Sequence, residues 1–144
     1  MDDKTLLIVD DSENDVELTR AALEKFNFAN PVAVTQDGAE ALDYLHRRGA
    51  FSSREPGNPA VILLDIKMPK VDGLEVLREI RNSPELRTIP VVMLTSSREQ
   101  RDIIEGYELG VNAYVVKPVD FAQFMEAVRE LGLFWLILNQ PPAT

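Results

Sequence analysis

The stretch Val61–Asp65 reads VILLD, four consecutive apolar residues followed by a carboxylate. Four other stretches share the apolar character, the last of them more weakly: Leu6–Val9 (LLIV), Val91–Leu94 (VVML), Ala113–Val116 (AYVV) and Pro31–Thr35 (PVAVT). Apolar runs without alternation are typical of strands that are covered on both faces, as in a parallel sheet. The sequence therefore predicts five buried strands.

The segments between these strands carry apolar residues, with one threonine among them, at helical spacing. In each segment they fall on one face: Val16, Thr19, Leu23 and Phe26; Ala41, Leu42 and Leu45; Leu74, Leu77 and Ile80. Asp37 with Glu40, and Asp120 with Gln123, have the spacing of a helix cap and its partner in the first turn. Strand and helix thus alternate five times, which predicts an α/β fold with a doubly wound, five-stranded parallel sheet.

Length and composition limit the classes of function. We expect the 144 residues to form one domain, 1–144, with 139–144 as a frayed tail. The chain holds 15 Lys and Arg against 24 Asp and Glu, a net charge of -9, which argues against nucleic-acid binding and favours a cation or protein partner. It contains no Cys, which excludes disulfides, thiol catalysis and Cys-ligated zinc. No apolar run reaches the roughly 18 residues of a membrane span, so we expect a soluble, cytoplasmic domain.

Polar side chains follow four of the predicted strands. Asp10 and Asp11 follow the first strand, Asp65 the third, Thr95 the fourth and Lys117 the fifth. Because the carboxyl ends of parallel strands lie on one edge of the sheet, where ligands bind, these side chains should converge. Crowded carboxylates repel unless a cation lies among them, and Mg²⁺ suits a site of carboxylates, waters and a phosphate. Thr95 and Lys117 would then face an anion bound to the metal, which predicts a Mg²⁺-dependent phosphoryl site.

Four blocks of sequence together resemble the receiver family of response regulators in two-component signalling. They stand in order along essentially the whole chain: Leu6–Asp15 (LLIVDDSEND), Val61–Gly73 (VILLDIKMPKVDG), Pro90–Ser96 (PVVMLTS) and Gly110–Pro118 (GVNAYVVKP). The resemblance implies the flavodoxin-like (βα)5 fold. It also implies a signalling protein that accepts a phosphoryl group from a histidine kinase, rather than an enzyme acting on other substrates.

The same resemblance assigns roles to individual residues. Asp65 is implied to be the phosphoacceptor, which attacks the phosphorus of a kinase phosphohistidine, and Lys117 and Thr95 would bind the phosphoryl group. Thr95 and Tyr114 would form the conformational switch, and the Lys117–Pro118 peptide bond is expected to be cis. The implied Mg²⁺ ligands are Asp10, Asp11, Asp65 and the backbone carbonyl of Lys67.

Three features resemble the branch of single-domain regulators that partner bacterial and cyanobacterial phytochrome histidine kinases. They are the long loop Gly49–Pro59, the start of the last helix at Val119–Phe121, and the Phe134–Trp135 ending followed by Asn139–Pro142. The resemblance therefore implies a phytochrome-type sensor kinase as partner. Lys67 departs from the short residue that many receivers carry two positions after the phosphoacceptor, and a cation there should prolong the life of the acyl phosphate.

The last helix carries apolar residues on two faces. Phe121, Phe124, Val128, Leu131 and Trp135 form the stripe expected to pack on the sheet, and Leu133, Phe134 and Ile137 fall on the opposite side. A contiguous exposed apolar patch usually marks an interaction surface, so the second set predicts a two-fold homodimer interface. Contact of this set with the loop Gly49–Pro59 within one subunit is the alternative.

Two other functions stay open on the sequence alone. A Mg²⁺-dependent phosphatase with an aspartyl nucleophile would need Asp-x-Asp, whereas Asp65 is followed by Ile66 and Lys67. A degenerate receiver that acts only as a scaffold is disfavoured by the intact set of Asp10, Asp11, Asp65, Thr95 and Lys117.

For Tyr114, a purely packing role in the core is the alternative to the switch.

Overall fold

The fold is taken from a computed structural model of the chain. Its described residues are 5–24, 30–66, 68, 72–95, 113–119 and 121–131. Several residues named above lie outside the described residues: Phe26, Lys67, Asp120, Leu133, Phe134, Trp135, Ile137 and the tail 139–144.

Five parallel strands form one sheet. They are β1, Leu6–Val9; β2, Val32–Thr35; β3, Val61–Asp65; β4, Val91–Thr95; and β5, Ala113–Val116. Their order across the sheet is β2-β1-β3-β4-β5, and every neighbouring pair is parallel. The predicted α/β fold with a five-stranded parallel sheet is confirmed. β3 and β4 each continue one residue beyond their apolar run, so that Asp65 and Thr95 are the last residues of their strands.

Within the described residues, helices follow four of the strands, and residues 96–112 after β4, where the remaining predicted helix falls, lie outside them. The described helices are α1, Glu13–Glu24; α2, Gly38–His46; α3, Gly73–Asn82; and a C-terminal helix, Phe121–Leu131; a 3-10 turn covers Gly49–Phe51. The predicted cap of α2 is confirmed, because Asp37 Oδ1 accepts a hydrogen bond from Glu40 N at 2.7 Å. α3 begins in the same way, with Asp72 Oδ1 accepting from Glu75 N at 3.0 Å. Among the described helices, none has both the length and the hydrophobicity that crossing a membrane would require.

The two faces of the sheet carry separate hydrophobic layers. In β1, Leu6 and Ile8 join the layer that includes Phe124 of the C-terminal helix, and Leu7 and Val9 join the layer shared with α2 and α3. All four side chains of β1 are fully buried. Burial on both faces is the physical reason that the strand sequences are continuously apolar. It also holds the strand ends in place independently of the polar residues that follow them.

The direction of winding reverses at β1, which lies between β2 and β3. In doubly wound sheets, ligands bind in the crevice at this point, outside the carboxyl ends of the strands. Asp10 follows β1 and Asp65 ends β3, so the two residues flank that crevice.

Candidate functional site

Three aspartates meet at the crevice between β1 and β3. One carboxylate oxygen from each of Asp10, Asp11 and Asp65 lies within 4.8 Å of the other two. Asp10 is 1% exposed and Asp65 is 7% exposed, whereas Asp11 is exposed to solvent. The buried strands hold these like charges together against their repulsion. The convergence predicted from the strand ends is therefore observed for all three aspartates.

The turn from β1 into α1 orients the carboxylate of Asp10. Asp10 Oδ1 accepts a hydrogen bond from Ser12 N at 3.0 Å, and Ser12 Oγ accepts one from Asp15 N at 3.2 Å. Amide groups at the start of a helix lack partners within the helix, and these two bonds satisfy a pair of them. The second oxygen of Asp10, Oδ2, is directed to the site.

Lys117 supplies the positive charge of the site. Its Nζ lies 2.8 Å from Asp15 Oδ2, 2.9 Å from Asp10 Oδ2 and 3.2 Å from Asp65 Oδ1. The lysine follows β5 directly, and its backbone N donates to Thr95 O of β4 at 2.7 Å. The sequence led us to expect an anion opposite Lys117. The ammonium contacts the carboxylates, whose charge it partly neutralises, and the anion expected opposite Lys117 stays a prediction.

Burial and charge shift the proton affinities of two site residues. Burial raises the pKa of the Asp65 carboxyl to about 6; the charge of Lys117 opposes the rise, and the charges of Asp10 and Asp11 add to it. Burial alone would lower the pKa of Lys117, but the hydrogen bond to Asp15, the close contact with the Asp10 carboxylate and the charge of Asp65 raise it above its ordinary value. Lys117 is therefore charged at neutral pH, and ionised Asp65 is held in an environment that favours an additional cation.

Thr95 and Tyr114 lie on the neighbouring strands β4 and β5. Thr95 is fully buried, and within the described residues its Oγ1 has no hydrogen-bond partner. A buried hydroxyl without a partner is costly, so Thr95 Oγ1 is a donor available to a ligand. Tyr114 is half-buried and packs against the layer shared with α2 and α3. The peptide bond between Lys117 and Pro118 is cis, as predicted.

The chemistry of the aspartate group fits a hard divalent cation. Mg²⁺ prefers oxygen ligands, usually binds one or two carboxylates and keeps several waters. The three carboxylates of Asp10, Asp11 and Asp65 offer an all-oxygen set, and the exposure of Asp11 leaves one side of the site open to water. The backbone carbonyl of Lys67, the fourth predicted ligand, lies outside the described residues.

Gly73, the first residue of α3, allows this helix to approach the end of β3. Its backbone N donates a hydrogen bond to Ile66 O at 2.9 Å. A Cβ at Gly73 would clash with the carbonyl oxygen of Asp65 and would lie 2.8 Å from Ile66 Cα. These neighbours are backbone atoms, which cannot rotate away as a side chain can. Glycine at this position therefore helps to set the backbone of Asp65.

Replacing Gly73 by Ala should displace the backbone of Asp65 and Ile66. We expect a loss of about 2–3 kcal/mol in the free energy of unfolding, as for other overpacked sites. Chemical denaturation measures this loss, and calorimetric titration should show weaker Mg²⁺ binding. Gly49→Ala is the matched control, because Gly49 has a φ of 59° but a Cβ there meets only the Asp43 side chain, at 3.5 Å. It should cost about 1 kcal/mol and leave Mg²⁺ affinity unchanged; an equal loss of affinity in both variants would contradict the role of Gly73.

Sequence reasoning missed the roles of Asp15 and Gly73. Asp15 stands three residues after Ser12, which marks it as a first-turn residue of a helix but does not connect it to a lysine 102 positions away. For Gly73, a glycine directly after the cap residue Asp72 was the available signal, because glycine is a poor helix former. The predicted dimer residues, Leu133, Phe134 and Ile137, lie outside the described residues.

Comparison with known proteins places this site in a family. The family model of the response regulator receiver domain matches residues 6–129. The structure is similar to the bacteriophytochrome response regulator RtBRR, with 60% identity, a TM-score of 0.89 and coverage of 96% of this chain and 84% of that one. It is also similar to the bacteriophytochrome response regulator AtBRR, with 58% identity and a TM-score of 0.89; the match covers 94% of this chain and 97% of AtBRR.

A third relative is the response regulator Rcp1 of Synechocystis sp., which is 37% identical over 140 residues, or 97% of this chain and 94% of Rcp1. A crystal structure of the Mn²⁺-bound form of response regulator Rcp1 covers 96% of this chain and 99% of its own, with 36% identity and a TM-score of 0.73. The chain thus belongs to the receiver-domain family of response regulators, signalling proteins of two-component systems, and it resembles the phytochrome response regulators within that family.

Proposed function

We propose that this chain is a phosphorylation-controlled switch whose phosphoacceptor is Asp65. The observation that carries the proposal is the placement of Asp65 Oδ1 3.2 Å from Lys117 Nζ, in one group with Asp10 and Asp11. Phosphoryl transfer requires a positioned nucleophile and neutralisation of charge on the phosphoryl oxygens. Asp65 supplies the nucleophile, and the surrounding groups supply or hold the positive charge.

In the proposed reaction, a carboxylate oxygen of Asp65 attacks the phosphorus of a phosphohistidine on a sensor histidine kinase. The P–N bond breaks, its electron pair stays on the imidazole nitrogen, which takes up a proton, and Asp65 becomes an acyl phosphate. Asp10, Asp11, Asp65 and the Lys67 carbonyl would hold Mg²⁺, which supplies positive charge for the phosphoryl oxygens.

Lys117 and Thr95 would bind the transferred phosphoryl group. Lys117 Nζ is already in contact with Asp65, and Thr95 Oγ1 is a buried donor without a partner in the described part of the chain. Movement of Thr95 toward the phosphoryl group would then alter the packing of Tyr114 on the adjoining strand, so that the two residues act as the switch. Partner proteins would read the change at the β5 edge of the sheet.

A phytochrome-type histidine kinase is the proposed partner. Two proteins named bacteriophytochrome response regulators share 60% and 58% identity with this chain over nearly its whole length. Identity at this level supports a shared type of kinase more strongly than the fold does, since one fold serves many signalling systems.

A labelling experiment tests the proposed function. The protein is incubated with a small phosphodonor, with Mg²⁺ or with EDTA, and protein-bound phosphate and free phosphate are followed. Labelling that approaches one phosphate per chain and disappears in EDTA is expected. Release of many phosphates per chain would instead indicate the aspartyl phosphatase, and absence of label would indicate a scaffold.

We further propose that residues 1–144 work as a single receiver domain and that the chain forms a homodimer through Leu133, Phe134 and Ile137. Burial of three large apolar side chains per subunit would stabilise such a dimer, at about 1.5–3 kcal/mol for each fully buried side chain.

The double substitution Phe134→Glu with Ile137→Glu should convert the dimer to a monomer, as measured by light scattering after size exclusion. Leu18→Glu is the control, because Leu18 is an exposed apolar residue of α1, 44% exposed, outside the predicted interface. It should leave the mass unchanged. A mass in solution that the double substitution does not alter would refute the predicted interface.

A further inference from the structure

Asp15 makes the shortest described contact of Lys117. Its Oδ2 lies 2.8 Å from Nζ, compared with 2.9 Å for Asp10 Oδ2 and 3.2 Å for Asp65 Oδ1. Asp15 does not belong to the group of three aspartates that could share a metal ion. Its side chain is also the most exposed of the lysine's partners, 32% against 0% for Asp10 and 9% for Asp65. Asp15 thus contacts the lysine from the solvent side of the site.

The start of α1 explains why the Asp15 carboxylate is available to Lys117. In a reciprocal helix cap, the first-turn carboxylate would accept a hydrogen bond from the backbone N of the cap residue. Here Ser12 Oγ does accept from Asp15 N, but Ser12 N already donates to Asp10 Oδ1 at 3.0 Å. The Asp10 carboxylate therefore accepts the hydrogen bond from Ser12 N that the Asp15 carboxylate would accept in a reciprocal cap. The Asp15 carboxylate contacts Lys117 Nζ.

We propose that Asp15 is a positioning residue that holds the ammonium of Lys117 when a divalent cation occupies Asp10 and Asp65. This inference rests on the proposed function. Lys117 Nζ and a divalent cation would compete for the same two carboxylates, because the ammonium lies within 3.2 Å of both. The carboxylate of Asp15 lets the ammonium stay paired after it gives up these contacts, so that it remains beside the site for the phosphoryl group.

The role of Asp15 has a consequence for Mg²⁺ affinity that acts through Lys117. Without Asp15, the ammonium keeps only the carboxylates that the cation needs, and the repulsion between the two cations rises. Asp15→Asn should therefore weaken Mg²⁺ binding by about three- to fivefold, a factor typical of one partly exposed ion pair. Removal of the ammonium in Lys117→Met should strengthen Mg²⁺ binding.

A double-mutant cycle tests the inference. Mg²⁺ affinity is measured by calorimetry, without phosphodonor, for the wild type, Asp15→Asn, Lys117→Met and the double variant. Glu13→Gln is the matched control, because it removes another carboxylate from the first turn of the same helix and no contact with Lys117 is described for it. Lys117→Gln replaces Lys117→Met should the latter fail to fold.

The expected result is that Asp15→Asn weakens Mg²⁺ binding more than Glu13→Gln in the wild type. In the Lys117→Met background, Asp15→Asn should reduce Mg²⁺ affinity no more than Glu13→Gln does. The same loss in both backgrounds would overturn the inference while leaving the phosphoacceptor role intact. A wild-type protein that neither binds Mg²⁺ nor becomes labelled would overturn the proposed function and, with it, the inference.

Discussion

Asp65→Asn is expected to abolish phosphoryl labelling and at the same time to stabilise the folded protein. The amide oxygen of Asn is a poor nucleophile, so no acyl phosphate should form. The gain in stability has a separate cause. The pKa of Asp65 is raised to about 6 from an ordinary value of 3.8. The fold therefore disfavours the ionised carboxylate relative to the unfolded chain.

The pH dependence of this gain follows from proton linkage. Between pH 4 and 6 the folded protein retains a proton on Asp65 that the unfolded chain has released, so the stability of the wild type falls as pH rises through this range. Above pH 6 the full cost of ionised Asp65 is present. Allowing for screening by solvent, we expect Asp65→Asn to stabilise the protein by about 1–2 kcal/mol at pH 7–8 and by almost nothing below pH 4.

Denaturant unfolding in EDTA at several pH values measures this difference. Asp37→Asn is the matched control, since Asn also caps helices well and Asp37 lies at the start of α2. It should alter neither labelling nor stability appreciably. Retention of label in Asp65→Asn would place the phosphoacceptor elsewhere, and a stability gain independent of pH would show that ionisation of Asp65 is not its cause.

Lys117→Met is expected to destabilise the protein by about 3 kcal/mol in EDTA, because it leaves a buried carboxylate without its counter-charge. Lys117 Nζ contacts three carboxylates, one of which, on Asp10, is 0% exposed. The methionine preserves the volume of the aliphatic stem but removes the charge. Mg²⁺ should restore part of the lost stability, since a cation bound to the aspartates compensates the same charges.

Arg48→Met provides the comparison for this prediction. Arg48 Nε lies 2.8 Å from Asp43 Oδ1, a distance equal to the shortest at Lys117, but both side chains are about half exposed, 54% and 43%. Exposed ion pairs contribute about 0–1 kcal/mol to the free energy of unfolding. Arg48→Met should therefore lower the stability only slightly, and Mg²⁺ should not alter this loss. Similar losses in the two variants would mean that Lys117 is not the counter-charge of the aspartates.

The fold was predictable from the sequence because the continuous apolar character of each strand reflects its burial on both faces of the sheet. Val61–Leu64 is continuously apolar, and the structure buries it between two layers of helices. The polar residues after the strands were also predictable as a group, because all parallel strands end on the same edge. Asp10, Asp11 and Asp65 were therefore expected together, and they lie within 4.8 Å of one another.

The contacts that refine the site were not predictable in this way. Asp15 carries no local sign of its contact with Lys117, because the pairing depends on how α1 is placed against the end of β5. Likewise, Gly73 lies close to the Asp65 carbonyl because the first residue of α3 packs against the end of β3. Both contacts result from the packing of elements, which a local pattern of residue types does not specify.

The sequence by itself determined the parallel sheet and the residues at its carboxyl edge. Burial on both faces gives a strand a continuous run of apolar residues, and the polar residue directly after such a run can be identified from the sequence alone. Only the tertiary structure decided the balance of charge at that edge. The ammonium of Lys117, directly after β5, lies within 2.8–3.2 Å of the carboxylates of Asp10, directly after β1, Asp65 of β3 and Asp15 of α1. At such distances in a largely buried site, small differences in position decide which charges pair, and those differences are set by the packing of the core.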